Sequence, residues 1–292
     1  MRRFLFTFVG LLTAMSSTAH ALTALPNVHR MDLPSRPLQA TSGTAFLRKI
    51  ESLSPAQREA AFVREILRGN VPDFLRQMTP VEVVLREGPY KGQLLRFWTL
   101  PDYLAVGSDR DFVRVPLNLH SIEKVAEKLD LSLPTSRMVD DIYRNADVKL
   151  TPAPLPYSPR VASTGNILRH NKIVQSQLDP VCIRPGILLA GHKKDVVQSR
   201  RLVKKPDAIA IYGWHRPGAE PIQPLSTVHS AEYADYSHGV RLVSNTIRIG
   251  SRTFDLREVL NHRWMAKTLS AEGVIPQKGI RPKTVFPVAD NH

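Results

Sequence analysis

The chain of 292 residues carries 40 Lys and Arg against 26 Asp and Glu, a formal charge of +14, and 42% of it is hydrophobic. That apolar content excludes an intrinsically disordered chain and supports a globular core. The single Cys182 excludes an internal disulfide framework, and the excess of cations favours anionic surroundings: phospholipid headgroups, lipopolysaccharide or acidic wall polymers.

The first residues form an export pattern. Arg2 and Arg3 supply a positive start, Phe4 to Met15 an apolar run, and Ala19-His20-Ala21 a small-residue cleavage site. The pattern predicts a cleavable, bacterial-type signal peptide over 1–21 and an exported protein, periplasmic or extracellular. The run falls short of the ~20 apolar residues a membrane-crossing helix needs, so no transmembrane segment is expected. Without Arg2 and Arg3 the charge of +14 becomes +12. Export makes nucleic acid an unexpected partner for that charge. Cys182 reads as a buried small apolar residue or as a reactive thiol.

Residues 22–43, rich in Pro, Ser and Thr, read as a flexible leader. Ser54 and Pro55 open a helix whose apolar face is Phe62, Val63, Ile66 and Leu67, and Gly69 ends it. Val81 to Leu85 and Leu94 to Trp98 read as strands around a Gly88-Pro89 turn, and Tyr103 to Val106 and Phe112 to Val115 repeat the pattern. Two helices follow, Leu119 to Leu129 and Thr135 to Ala146, each with apolar residues at helical spacing. Residues 151–160 hold Pro152, Pro154, Pro156 and Pro159; they read as an extended connector, either a domain boundary or a crossover within one domain. Beyond it come a helix over Asn166 to Leu178 and strand-like runs at Ile187–Ala190, Asp195–Val197, Ala208–Tyr212 and Val240–Ile249. Asn245 reads as a hairpin turn within the last run, and Asp255 opens a final helix. The sum is α+β: N-terminal helices, a mixed or antiparallel sheet core, and one main domain over 44–292. The dense basic run from Lys193 through Lys194, Arg200, Arg201, Lys204 and Lys205 reads as a solvated face.

Residues of catalytic type crowd between 170 and 241, where five of the ten histidines lie. Gly191-His192 interrupts one strand pattern and Gly213-Trp214-His215 ends another, which is how folds expose reactive groups in a cleft. Two chemistries suit these residues. In one, His192, His215 and His238 bind zinc, which takes three protein ligands and an open position for water. His192 and Asp195 point to opposite faces of a straight strand, so they share a metal only if the chain turns there. In the other, His238 is a general base oriented by Asp235 or Tyr236, with His215 a further catalytic candidate and Arg241 holding an anionic substrate. The bland alternative is a set of structural polar groups in a non-catalytic protein.

Ser237-His238-Gly239-Val240-Arg241-Leu242 resembles the S-H-G-C-[IV]-R-[LM] signature of the L,D-transpeptidases, exported enzymes that cross-link peptidoglycan through the Cys. The Cys is absent here: Gly239 is followed directly by Val240. Gly191–Val197, Ile211–His215 and Tyr233–Gly239, with Leu133-Pro134-Thr135, Met138-Val139-Asp140 and Gly107-Ser108-Asp109, resemble a family of exported bacterial proteins without an assigned activity. That resemblance runs from about residue 70 to 275 and implies one continuous unit across the Pro-rich connector. The expectation is an exported hydrolase of a cell-envelope or extracellular polymer, working through a His/Asp cluster with or without zinc. The alternative is a non-catalytic exported protein that binds an anionic envelope component.

Overall fold

The computed structural model describes residues 29–179, 186–218, 221–277 and 279; the expected signal peptide and Cys182 lie outside them. Two helices begin the fold, α1 (Gly43–Lys49) and α2 (Pro55–Leu67). Ser42 caps α1. Ser54 and Gln57 form a reciprocal capping box on α2, with Pro55 in its first turn. Strands β1 (Thr79–Val84), β2 (Leu94–Thr99), β3 (Ala105–Gly107) and β4 (Phe112–Arg114) follow, then α3 (Leu119–Lys128), β5 (Leu131–Ser132), α4 (Ser136–Asn145), β6 (Val148–Lys149) and α5 (Thr164–Leu178). The last third holds β7 (Leu189–Ala190), β8 (Lys194–Val196), β9 (Ala208–His215), β10 (Pro221–Ser230), β11 (His238–Gly239), β12 (Val243–Ile249), β13 (Arg252–Asp255) and α6 (Leu256–Asn261).

The chain is α+β, as expected. One sheet runs β1-β2-β12-β13 with β5 beside β12, all antiparallel. A second runs β10-β9-β8-β11, in which β8 and β11 are parallel. The first sheet joins strands from both sides of residues 151–160, so this stretch is a crossover within one body. It is held there: the Leu155 N–H donates to the Tyr236 hydroxyl at 2.7 Å.

Two apolar cores flank the sheets. Phe46, Phe62, Ile66 and Ile122 pack with Leu104 and Val240 under the N-terminal helices. Phe97 and Ile247 of the first sheet pack with Met138, Ile142 and Val259. Each such side chain contributes roughly 1.5–3 kcal/mol by leaving water.

Three local expectations are corrected. Residues 29–42 are not a free leader: Met31 is buried, and the Arg36 guanidinium donates to Asn70 Oδ1 at 3.0 Å and to the Gly107 carbonyl at 3.1 Å. Asn245 makes no turn. It lies inside β12, where its side chain accepts from Ser132 at 2.6 Å and donates to the Asp130 carbonyl at 2.9 Å. The reversal comes instead at Gly250, between β12 and β13, where φ is +57°. Lys193, placed by sequence on a solvated basic face, is buried.

Candidate functional site

The polar residues of the 170–241 region meet partners from the stretch between β2 and α3. Asp102 follows β2 and is sealed in the interior. Arg114, the last residue of β4, grips it with Nη2 at 2.6 Å and Nε at 2.9 and 3.1 Å from the two carboxylate oxygens. The Tyr103 N–H donates to the same carboxylate at 2.7 Å. Burial opposes the charge on Asp102, but Arg114 and His192 outweigh it and hold the carboxyl well below its usual range.

His192 Nε2 lies 3.0 Å from Asp102 Oδ1. An ionised carboxylate there fixes the Nε2–H tautomer, which leaves Nδ1 as a lone-pair acceptor. Nδ1 is buried and has no hydrogen-bond partner among the described residues. Burial lowers the His192 pKa to about 4, against the opposing pull of Asp102. The ring is therefore neutral at pH 7.

The Tyr103 ring meets this imidazole edge-on at 4.9 Å, and Lys193, Trp214, Tyr236 and His170 form a neighbouring buried group. Lys193 Nζ donates to the Tyr236 carbonyl at 2.5 Å, and burial with the nearby Arg114 charge lowers its pKa to about 7. His170, on α5, is fully buried with both ring nitrogens unpartnered among the described residues. Burial, then Lys193 and His192, push its pKa down to about 2. Its ring centroid is 6.5 Å from Trp214 and 5.1 Å from Tyr236. Trp214 adopts φ +57°, a left-handed conformation that costs a bulky residue about 1–3 kcal/mol. Its N–H donates to the Lys193 carbonyl at 3.1 Å, and its indole N–H is another buried, unpartnered donor.

The residues singled out by sequence go to different places. Arg241, read from sequence as a substrate anchor, has its guanidinium turned to backbone carbonyls. It is fully buried and donates to the carbonyls of Leu100 and Leu189, each at 2.7 Å, with its Nε 3.6 Å from Asp195. Asp195 also accepts from the Tyr103 hydroxyl at 2.9 Å; burial raises its pKa to about 6 against the opposing charge of Arg241. His192 lies in the bend before β8 and Asp195 within it, and both meet Tyr103: its ring lies 4.9 Å from His192 and its hydroxyl bonds Asp195. His215 Nε2 pairs with Asp140 at 2.9 Å and stacks on Tyr143 at 4.5 Å. Asp235 accepts from Ser237 N–H and Oγ–H at 2.7 and 2.6 Å and from Tyr233 at 2.8 Å, so its side chain orients no His238 ring. His238 is buried with both ring nitrogens unpartnered among the described residues, and burial lowers its pKa to about 4. Its ring meets Tyr233 edge-on at 5.5 Å.

Zinc does not fit this arrangement. His192 and His215 are each committed to a different carboxylate. Among the described residues, no group of three or more His, Cys, Asp or Glu is arranged to hold a metal ion. Val240 packs in the apolar core, so a thiol-bearing signature has no counterpart there.

Tyr233 links the interior to the surface. It lines a cleft of about 360 Å³ with Glu59, Phe62, Asn118, Ile167 and Glu232. Asp102 and Arg114 went unselected by sequence reasoning, and Lys193 was read only as part of a solvated basic run; Arg114, a charge inside the apolar run Phe112–Val115, carried a signal. No protein-family model, curated protein or solved structure matches the chain.

Proposed function

We propose that this protein is an exported hydrolase of a cell-envelope or extracellular polymer, with His192 as the general base that activates water. The observation that carries this is the Arg114–Asp102–His192 series. It orients the imidazole, sets its tautomer and leaves Nδ1 free to accept a proton. Native interiors rarely leave buried polar atoms unpaired, and here His170, His192, Trp214 and His238 each carry a buried ring nitrogen with no partner among the described residues.

In the proposed step, a water proton passes to His192 Nδ1 as the water oxygen bonds to the electrophilic carbon. Asp102 stabilises the imidazolium so formed. The Trp214 indole N–H and the Lys193 ammonium are donors for negative charge developing on the substrate. His192 then returns the proton to the leaving group. His192 is sealed from solvent, and the cleft beside Tyr233 is lined by none of His192, Lys193 or Trp214, so the proposed step requires the cluster to open to substrate. The segments that resemble exported bacterial proteins contain His192, Lys193, Trp214 and Tyr236, which are the residues of this cluster.

The test is release of soluble fragments from purified peptidoglycan sacculi. His192→Asn should lower the rate by about 10²–10⁴, and Asp102→Asn should lower it too. A wild-type chain that releases nothing, or a His192→Asn variant as active as wild type, overturns the proposal.

A further inference from the structure

A separate surface carries a second assignment, which does not rest on the hydrolase. Residues 200–204 form a single 3-10 turn in which no residue is buried. Leu202 anchors it inward by packing against Val139, Val197 and Ala210. Val203 faces the other way and is 61% exposed. Around it stand Arg200, Arg201, Lys204 and Lys205, all exposed. The side chains of Arg200, Lys204 and Lys205 have no ion-pair partner among the described residues. The nearby carboxylate, Glu272, is already engaged by Ser199 Oγ at 3.0 Å and by the Arg200 N–H at 3.3 Å, with Arg201 Nε 3.8 Å away.

The same pattern recurs close by. Trp264 is 62% exposed, and the Arg263 guanidinium lies 4.8 Å over its ring. Lys267, one turn on, is exposed as well, and its carbonyl accepts from Arg137 at 2.9 Å. Hydrogen bonds join the two segments. Gln198 bonds to Pro134 and Leu133, the adjacent Thr135 bonds to Leu269, and Ser199 bonds to Glu272 in the turn that follows. Two projecting apolar side chains, each set among cations, thus sit on neighbouring segments.

We propose that this face docks on an anionic phospholipid surface, with Val203 and Trp264 entering the headgroup boundary. Cations alone fit any polyanion. An exposed Val and Trp set among cations add a preference for a surface with an apolar interior, and Trp favours the membrane interface. Each Lys or Arg close to such a surface is worth about a fivefold gain in affinity.

The test uses the full chain with vesicles of phosphatidylglycerol and phosphatidylethanolamine, beside vesicles of phosphatidylcholine alone. The apolar N-terminal stretch is common to every arm. Preferential sedimentation with the anionic vesicles is expected, weakened at about 0.5 M salt, where screening is short-ranged. Lys204→Ala with Lys205→Ala should weaken it by about 25-fold. Tryptophan emission should shift to the blue and be quenched by brominated acyl chains. Trp264→Phe should remove that quenching, since Trp98 and Trp214 are buried. Equal binding to both vesicle types overturns the proposal. Binding without quenching, matched by binding to soluble polyphosphate, identifies a polyanion surface and also overturns it.

Discussion

Replacing Arg114 with Met isolates what holds the candidate site in shape. Arg114 and Asp102 are both sealed from solvent and joined by contacts of 2.6, 2.9 and 3.1 Å. Met fills much of the Arg volume but leaves a buried carboxylate without its main partner. Breaking one side of such a pair costs about 3–5 kcal/mol. At about 2–4 °C per kcal/mol for a chain of this size, the melting temperature should fall by roughly 6–20 °C at pH 7. Calorimetry or a thermal shift reads it directly. The pH dependence supplies a second, independent sign. In the wild type the Asp102 pKa is depressed, so its contribution is present above the ordinary carboxyl range and is lost as pH falls through and below that range. In Arg114→Met, burial dominates and raises the same pKa, so the folded variant gains stability as pH falls toward that range. The gap between the two proteins should therefore narrow from pH 7 to pH 4. Asp102→Asn combined with Arg114→Met should recover part of the loss, because no charge is then stranded. A single variant within about 2 °C of wild type, or a gap that widens on acidification, refutes the claim that this ion pair is the keystone of the cluster.

Stability should also fall in the wild type as pH drops from about 6.5. His192 and His238 are lowered to about 4 and His170 to about 2, so the unfolded chain takes up protons that the folded one does not. Asp195, raised to about 6, opposes them by one proton below that pH. The net slope is about 2–3 kcal/mol per pH unit between roughly pH 5.5 and 4.5, and a flat urea-midpoint profile across that range would contradict it. Gly239→Ala should destabilise by several kcal/mol or prevent folding, because its Cβ would stand 2.5 Å from the Tyr103 ring and 2.8 Å from Lys193 Cβ; circular dichroism of the purified variant checks this. Lys193→Met should keep or raise the melting temperature, since it removes a buried ammonium whose pKa is already near 7, while sacculus turnover falls. A large loss of stability would make Lys193 structural instead.

Much of the fold was legible because helices and strands here keep their own periods. Phe62, Val63 and Ile66 mark α2, and Met138, Val139 and Ile142 mark α4; all six are buried. The misses have physical causes. Strand β10 begins at Pro221, contains Pro224 and shifts register between Gln223 and Ser226 and again between Ser226 and His229. An edge strand with bulges shows no clean alternation. Helix α1 starts at a glycine, which reads as loop. That glycine answers a tertiary demand, because a Cβ at Gly43 would lie 2.6 Å from the Val113 backbone nitrogen.

The candidate site was legible in composition and not in pairing. Crowding of His, Asp and Tyr between 170 and 241 picked out the stretch that supplies His170, His192, Lys193, Trp214, Tyr236 and His238 to the buried polar cluster. What each residue does depends on partners the local sequence does not contain. Asp102 stands 90 positions from His192, and Arg241 acts on the Leu100 carbonyl 141 positions away. Adjacency along the chain misled for the same reason. Asp235, three residues before His238, spends its side chain on Ser237 and Tyr233, because a tight turn aims its carboxylate at the N–H two residues on. The residue that orients the buried His192 ring comes from a distant part of the chain. Here it comes from the segment between β2 and β3, and Arg114 on β4 fixes its charge. Arg114 was the visible clue. A guanidinium in the apolar run Phe112-Val113-Arg114-Val115 is tolerated only if a carboxylate waits inside, and that carboxylate is the one that orients His192.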